Sequence, residues 1–203
     1  MNRTRVVLFV LVVGAVVSAA LLYGRASNPA DAAAADNAPV HGNFSLEQAR
    51  GASSFELYNA GDAVAGRKLS AVERRDDEAN YVSFIYGDCV ASGEQGCPLP
   101  LEIQVWPACV RNLSLYDRPN ALAAALAPHP SLTLARGVPA GVLDEGRQLE
   151  IQTGTSTIVI FGETRALVNV AAAALRGVNN AGRVGVDLPP PAKGAVEGTL
   201  VCA

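Results

Sequence analysis

The chain has 203 residues, with 16 basic and 19 acidic side chains and a formal net charge of −3. This balance excludes the basic surface that nucleic-acid binding requires, so no nucleic-acid partner is predicted. Arginine outnumbers lysine 14 to 2, a bias that indicates a bacterial chain from a GC-rich genome.

The N-terminus predicts a single membrane span. Arg3 and Arg5 precede an uncharged apolar run at 6–23, VVLFVLVVGAVVSAALLY. As a helix this run would be about 27 Å long, close to the hydrocarbon thickness of a bilayer. Positive charge before the run favours a cytoplasmic N-terminus. We therefore predict an uncleaved signal-anchor over residues 1–23, with a cleaved signal peptide and a secreted protein as the alternative.

The rest of the chain is predicted to lie outside the cytoplasm, in the cell envelope. Residues 24–43 are rich in Ala, Asn, Asp and Pro and lack apolar periodicity, which indicates a disordered linker. Residues 44–203 then form one extracytoplasmic domain.

Hairpins dominate the predicted domain. LSAVE and YVSFIYG flank a polar turn, and LEIQVW at 101–106 alternates apolar and polar residues until Pro107, which ends the strand or marks a sheet edge. Residues 131–143 are predicted to be extended and broken at Pro139. Residues 147–162 form a hairpin with Gly154-Thr155 as a type II′ turn, and its apolar second strand is expected to be covered on both faces.

Helices are predicted at three places. Ser45 and Gln48 form a capping-box pattern before a short helix, and a second short helix is expected at 118–128. The main helix follows Thr164 as N-cap and ends before Gly177 as the C′ residue. The tail after residue 187 is Pro-rich and includes a candidate edge strand. The predicted class is therefore α+β: a mostly antiparallel sheet packed with one main helix and short helices. The expected apolar stripe of the main helix is Leu167, Val170, Ala171, Ala174 and Leu175.

The four cysteines are predicted to form disulfides. Their spacings include C-x7-C and C-x11-C, whereas structural zinc sites use close pairs such as C-x2-C. A C-x-x-C redox motif is absent, and the histidines at 41 and 129 lie in the linker and between two prolines. An even number of cysteines in an exported domain favours disulfides.

Three connectivities are open, and we favour Cys89–Cys97 with Cys109–Cys202. The first pair closes a Gly-rich loop between two predicted strands. The second ties the C-terminal tail to the body of the domain, and without it we expect the tail after Leu188 to fray.

Several of these stretches together resemble a group of single-pass membrane proteins of high-GC actinobacteria. The resemblance covers most of residues 44–203, including the cysteine pattern. It implies an anchored extracytoplasmic domain and no particular activity. The stretches that carry it are FELYNAGDAVAGRKLSAV, VSFIYGDC, PLEIQVWPACVRN, RGVPAGVL and LEIQTGTSTIVIFG.

The candidate binding surface consists of four residues. Trp106 is a candidate stacking platform, with half-buried packing against the helix or the tail as the alternative. Arg136, Asp144 and Glu145 flank a turn that is a candidate site for an anion or a protein partner, with a solvated hairpin rim as the alternative.

No catalytic residue, metal or cofactor is predicted, because G-x-S-x-G, H-E-x-x-H, G-x-G-x-x-G and P-loop motifs are absent. The leading hypothesis is a non-enzymatic binding module of the envelope, acting on an envelope protein or a ligand. The alternative is a carboxylate-dependent hydrolase that uses Asp88, Asp144 and Glu145. Two of these carboxylates close together in a pocket would favour the hydrolase.

Overall fold

A computed structural model describes residues 42–52, 54–77, 80–88, 101–116, 131–180 and 185–202. The predicted anchor, nearly all of the linker, the 118–128 helix and the Cys89–Cys97 pair lie outside these ranges and stay predictions. Within the described ranges, no helix has the length and apolar character needed to cross a membrane.

The described residues form a mostly antiparallel sheet with a few helices, as the sequence predicts. In the main sheet the strand order is β2-β3-β4-β5-β9-β8-β7-β6, and every neighbouring pair is antiparallel. Strands β1 and β10 form a separate two-stranded ladder. The elements are α1 (Leu46–Gly51), β1 (Tyr58–Asn59), β2 (Ala63–Val64), β3 (Arg67–Arg75), β4 (Tyr81–Tyr86), β5 (Leu101–Pro107), β6 (Ser131–Ala135), β7 (Val138–Leu143), β8 (Gln148–Thr153), β9 (Ser156–Phe161), α2 (Arg165–Ala174) and β10 (Arg176–Gly177).

The two faces of the sheet differ in chemistry because side chains alternate along each strand. In β5, the apolar residues that precede Glu102, Gln104 and Trp106 are buried, and these three polar or aromatic residues are half-buried on the other face. The apolar face packs with α2 in one hydrophobic core. Strand β5 lies centrally between β4 and β9, so Pro107 ends the strand and does not mark an edge. The largest fully buried core side chains include Tyr58, Phe84, Tyr86, Leu101, Ile103, Ile151, Ile158 and Ile160.

The main helix begins where the sequence predicts and ends earlier. Thr164 is the N-cap, and its Oγ1 accepts a hydrogen bond from the backbone N–H of Leu167 at 3.2 Å. The helix stops at Ala174, and Gly177 is not its C′ residue, because Arg176–Gly177 pair with Tyr58–Asn59 instead. Strand pairing therefore ended the helix before the glycine.

The buried stripe of α2 is also rotated from the predicted one. Val168 is buried, whereas Val170 is 49% exposed. Both positions carry valine, so periodicity alone did not distinguish them. Packing on the sheet selected the side that carries Leu167, Val168, Ala171 and Ala172.

The break predicted at Pro139 lies three residues earlier. Arg136 and Gly137 form the turn of the β6–β7 hairpin, both with positive φ (50° and 80°). Pro139 sits inside β7, opposite Leu134 of β6. The sheet accommodates this proline because β7 pairs with β8 only from Ala140 onward. The N–H that Pro139 lacks would therefore have had no hydrogen-bond partner on β8.

The β8–β9 hairpin matches its prediction. Gly154 has φ +49° and Thr155 does not have positive φ, as a type II′ turn requires. The residues Ile158–Ile160 are completely buried, which confirms that this strand is covered on both faces.

The tail is held by the predicted Cys109–Cys202 disulfide, whose Cα atoms are 5.3 Å apart. The described part of the tail is not an edge strand. Its prolines at 189–191 lack the N–H groups of a ladder, and it forms only an isolated bridge between Pro191 and Gly154. Side-chain and turn hydrogen bonds attach it instead, including one of 2.8 Å from Gln152 Nε2 to the carbonyl of Ala195.

Candidate functional site

A cavity of about 300 Å³ lies between α2 and the β6–β7 hairpin. Its lining includes apolar side chains of strands β7 and β8 and of the helix. This volume is at the lower end of the range for small-molecule sites, which are typically apolar with a few polar groups. The main apolar lining residues are Val142, Leu149, Val168 and Ala172.

Three polar side chains at the cavity have no partner among the described residues. Arg165 and Asn169 lie one helical turn apart on α2, so they share a face of the helix. Thr133 faces them from β6. All three are exposed, and none donates or accepts a side-chain hydrogen bond within the part of the chain that the structure describes. The cavity therefore combines an apolar floor with unused hydrogen-bonding groups.

Arg136, a predicted binding residue, also lines the cavity, and its guanidinium ties elements together. It donates to the carbonyl oxygens of Leu175 and Val186, which joins the β6–β7 turn to the end of α2 and to the tail. Burial lowers the pKa of Arg136, and the nearby carboxylate of Asp187 opposes this shift. Arg136 thus holds three parts of the fold together. Neither the binding-site interpretation nor the solvated-rim interpretation of the sequence included this role.

Asp144 and Glu145, the other two predicted residues of this surface, lie in a left-handed turn beside the cavity. Asp144, Glu145 and Gly146 have φ values of 48°, 56° and 92°. Both acidic residues are exposed, and Asp144 pairs with Arg147 at 2.7 Å. Gly146 lines the cavity, so the turn forms one of its edges. Non-glycine residues in this conformation carry strain of a kind found often at functional sites.

Trp106 lies on the opposite face of the sheet. Tyr81, on the neighbouring strand β4, stacks on its ring with centroids 4.2 Å apart, and the Arg111 guanidinium carbon lies 5.2 Å from the ring centroid. Arg111 also bonds to Glu150 on β8, so it approaches Trp106 from the side away from Tyr81. The indole is therefore held between two neighbours. Among the described residues, the ring contacts that the structure shows are with Tyr81 and Arg111 and not with α2, and the role of Trp106 in binding stays a prediction.

The network around Trp106 extends across the sheet. The indole N–H donates to Gln104 Oε1 at 3.0 Å, and Gln104 Nε2 donates to Glu102 at 2.9 Å. Glu150 is fully buried and accepts hydrogen bonds from Arg111 and from Gln148 Nε2. Because a buried carboxylate requires such partners, this network stabilises the face that α2 leaves uncovered.

Of the three carboxylates of the hydrolase hypothesis, Asp144 and Glu145 are neighbours in one turn, and Asp88 lies apart from them. Asp88 is exposed after β4, and Asp144 lies before β8, which is three strands away in the sheet. Three strand spacings amount to roughly 14 Å. Among the described residues, no aspartate or glutamate lines the cavity. The described residues also contain no group of three or more His, Cys, Asp or Glu side chains that could hold a metal ion.

Sequence reasoning missed the polar pair on α2. Arg165 and Asn169 are spaced i, i+4, and Arg165 occupies the first turn, where a cation opposes the helix dipole. Both the i, i+4 spacing and the position in the first turn can be derived from the sequence. The cavity beside them was not, because its other wall comes from strands more than 15 residues earlier in the chain.

Searches of protein-family models, of curated proteins and of solved structures find no match to this chain.

Proposed function

We propose that the chain is a membrane-anchored, extracytoplasmic binding domain of the bacterial cell envelope, and that it holds a small ligand between α2 and the β6–β7 hairpin. The cavity of about 300 Å³ carries this proposal. A concave site that combines apolar side chains with a few convergent polar groups is the usual architecture of a ligand site.

Two further observations support the proposal. The apolar run at 6–23 follows two arginines, as in a signal-anchor. The Cys109–Cys202 disulfide fits an oxidising compartment outside the cytoplasm. Among the described residues, Asp88 is separate from Asp144 and Glu145, and neither of these two neighbours lines the cavity, which favours the binding domain over the hydrolase alternative.

A matched pair of helix variants tests the site. Ala173→Trp places an indole at the mouth of the cavity, whereas Ala166→Trp places the same group on an exposed part of α2 that does not line it. The full chain in phosphatidylcholine nanodiscs would be incubated with an extract of bacterial envelope, washed, and its bound small molecules identified by mass spectrometry. We expect the wild type and Ala166→Trp to retain the same compound and Ala173→Trp to lose it. Equal retention by all three would refute the site.

The anchor is tested separately. Alkaline phosphatase fused after residue 203 should be active, because that enzyme needs an oxidising exterior, and the protein should remain in the membrane after a carbonate wash. Release of the mature protein into the medium would show that the run at 6–23 is a cleaved signal peptide.

A further inference from the structure

We infer that the ligand of this cavity is a small organic monoanion, with its apolar body on the cavity floor and its carboxylate at Arg165. This inference rests on the proposed function and specifies the chemical class of the ligand. Its basis is a cation at the cavity rim that has no hydrogen bond or ion pair among the described residues, beside a described lining that includes no acidic side chain.

Among the described residues, no hydrogen bond or ion pair accounts for the charge of Arg165. It is exposed, and it makes no hydrogen bond or ion pair within the part of the chain that the structure describes. It occupies the first turn of α2, which contains no acidic residue. A cation there is repelled by the positive end of the helix dipole. An anion bound at this place would pair with the guanidinium and would offset the repulsion from the helix dipole.

The position of Arg165 is nevertheless fixed by packing. A Cβ atom at Gly146 would lie 2.6 Å from Cγ of Arg165, so the aliphatic stem rests directly on the glycine of the left-handed turn. The strained turn therefore makes room for the arginine beside the cavity. Asn169, one helical turn further, adds an unused amide to the same rim. A guanidinium presents paired N–H donors that match the two oxygens of a carboxylate.

The surrounding charges favour an anion with a single negative charge. Arg136 already donates to the carbonyls of Leu175 and Val186, and Asp187 lies near it. On the other side, Asp144 is paired with Arg147, and Glu145 is exposed on the same turn. Of the two arginines in the described lining, only Arg165 is thus left for the ligand, and a second negative charge on the ligand would have no described cation of its own.

The volume limits the size of the ligand. About 300 Å³ corresponds to roughly ten water-sized volumes, since each water occupies about 30 Å³ in the liquid. A ligand with about ten non-hydrogen atoms therefore fits. Octanoate has this size and combines a flexible apolar chain with a carboxylate.

The test compares octanoate with octanol and octylamine, which share the chain and differ in the charge of the head group. Titration calorimetry would use the full chain in phosphatidylcholine nanodiscs, with empty nanodiscs subtracted. We expect octanoate to bind with a Kd on the order of 1 mM or below. Octanol and octylamine should bind about tenfold more weakly or not at all.

Variants at the rim test the role of Arg165. Arg165→Gln should weaken octanoate binding about tenfold and Arg165→Lys should restore part of it, because lysine keeps the charge and loses the planar fork. Arg50→Gln is the matched control, since Arg50 is an exposed arginine of α1 that does not line the cavity, and it should not change the Kd. The Tm of Arg165→Gln should not fall, because the guanidinium makes no described hydrogen bond or ion pair, and glutamine keeps the carbon atoms that rest on Gly146.

The outcomes separate the two proposals. Equal binding of octanoate and octanol, unchanged by Arg165→Gln and abolished by Ala173→Trp, would overturn the anion inference and leave the binding site standing. Tighter binding of octylamine would also overturn it. No binding of any of the three probes, together with an envelope ligand that Ala173→Trp does not displace, would overturn both.

Discussion

The disulfide between Cys109 and Cys202 gives the most direct test of the fold. The bridge closes a loop with a sequence separation of 93 residues. In the chain-entropy description, removing a bridge that closes a loop of this length lowers the free energy of unfolding by about 4.6 kcal/mol at 25 °C. Cys202→Ser should therefore destabilise the domain by several kcal/mol.

The structure also shows which part of the tail depends on the bridge. The backbone N–H of Leu188 donates to the carbonyl of Arg136, and that of Ala192 donates to Gly154. Ala195 is buried and accepts a hydrogen bond from Gln152. These contacts do not involve the disulfide and should persist in Cys202→Ser. We therefore expect the tail of this variant to fray after Ala195, whereas the Pro-rich sequence alone predicts fraying from Leu188.

Urea denaturation of the wild type, Cys202→Ser and the Cys109→Ser/Cys202→Ser double variant would measure the loss, and the double variant controls for the free thiol. Hydrogen exchange followed by mass spectrometry would locate the fraying. A loss below about 1 kcal/mol would contradict the loop-entropy estimate. Fast exchange at Leu188 and Ala192 in Cys202→Ser would refute the argument that local hydrogen bonds hold this part of the tail.

Three further substitutions test the core, the left-handed turn and a buried hydroxyl. Ile160→Ala, at a fully buried position of β9, should cost about 2–5 kcal/mol in urea denaturation, and a loss below about 0.5 kcal/mol would mean that the strand is exposed. Glu145→Gly should raise the free energy of unfolding by about 0.5–1 kcal/mol, because glycine adopts φ +56° without strain; a decrease would show that the turn is not strained. The Tyr86 hydroxyl accepts from the N–H of Ala60 and donates to the carbonyl of Gly61, so Tyr86→Phe should cost about 1–3 kcal/mol at neutral pH. Burial raises the pKa of Tyr86 above its ordinary value of 10.0, so the folded state keeps a proton that the unfolded state loses, and stability falls as pH rises above about 10. Tyr86→Phe should reduce this alkaline loss when denaturation is repeated from pH 8 to 11, and an identical loss in both proteins would assign it to other groups.

The sequence by itself determined the hairpins and the helix start, and it favoured the Cys109–Cys202 pairing among three that were open. Gly154-Thr155 defines its turn through local backbone geometry, and Thr164 caps α2 through a bond to a residue three positions away. The alternation around Trp106 correctly predicts a strand with one apolar face. The turn, the helix cap and the strand depend on interactions between residues close in the chain, and such interactions leave a pattern in the sequence. The disulfide joins residues 93 positions apart, and its prediction used the spacing of the cysteines and the position of Cys202 in the tail.

Only the tertiary structure decided how these elements meet. The rotation of α2 that buries Val168 and exposes Val170 depends on the sheet beneath it, and the end of the helix at Ala174 depends on pairing with β1. The cavity exists because the β6–β7 hairpin and α2 lie against each other, and Arg165 is placed at its rim because Gly146 has no side chain. These arrangements arise from contacts between residues far apart in the chain, whose energies are set by packing in three dimensions and not by local periodicity.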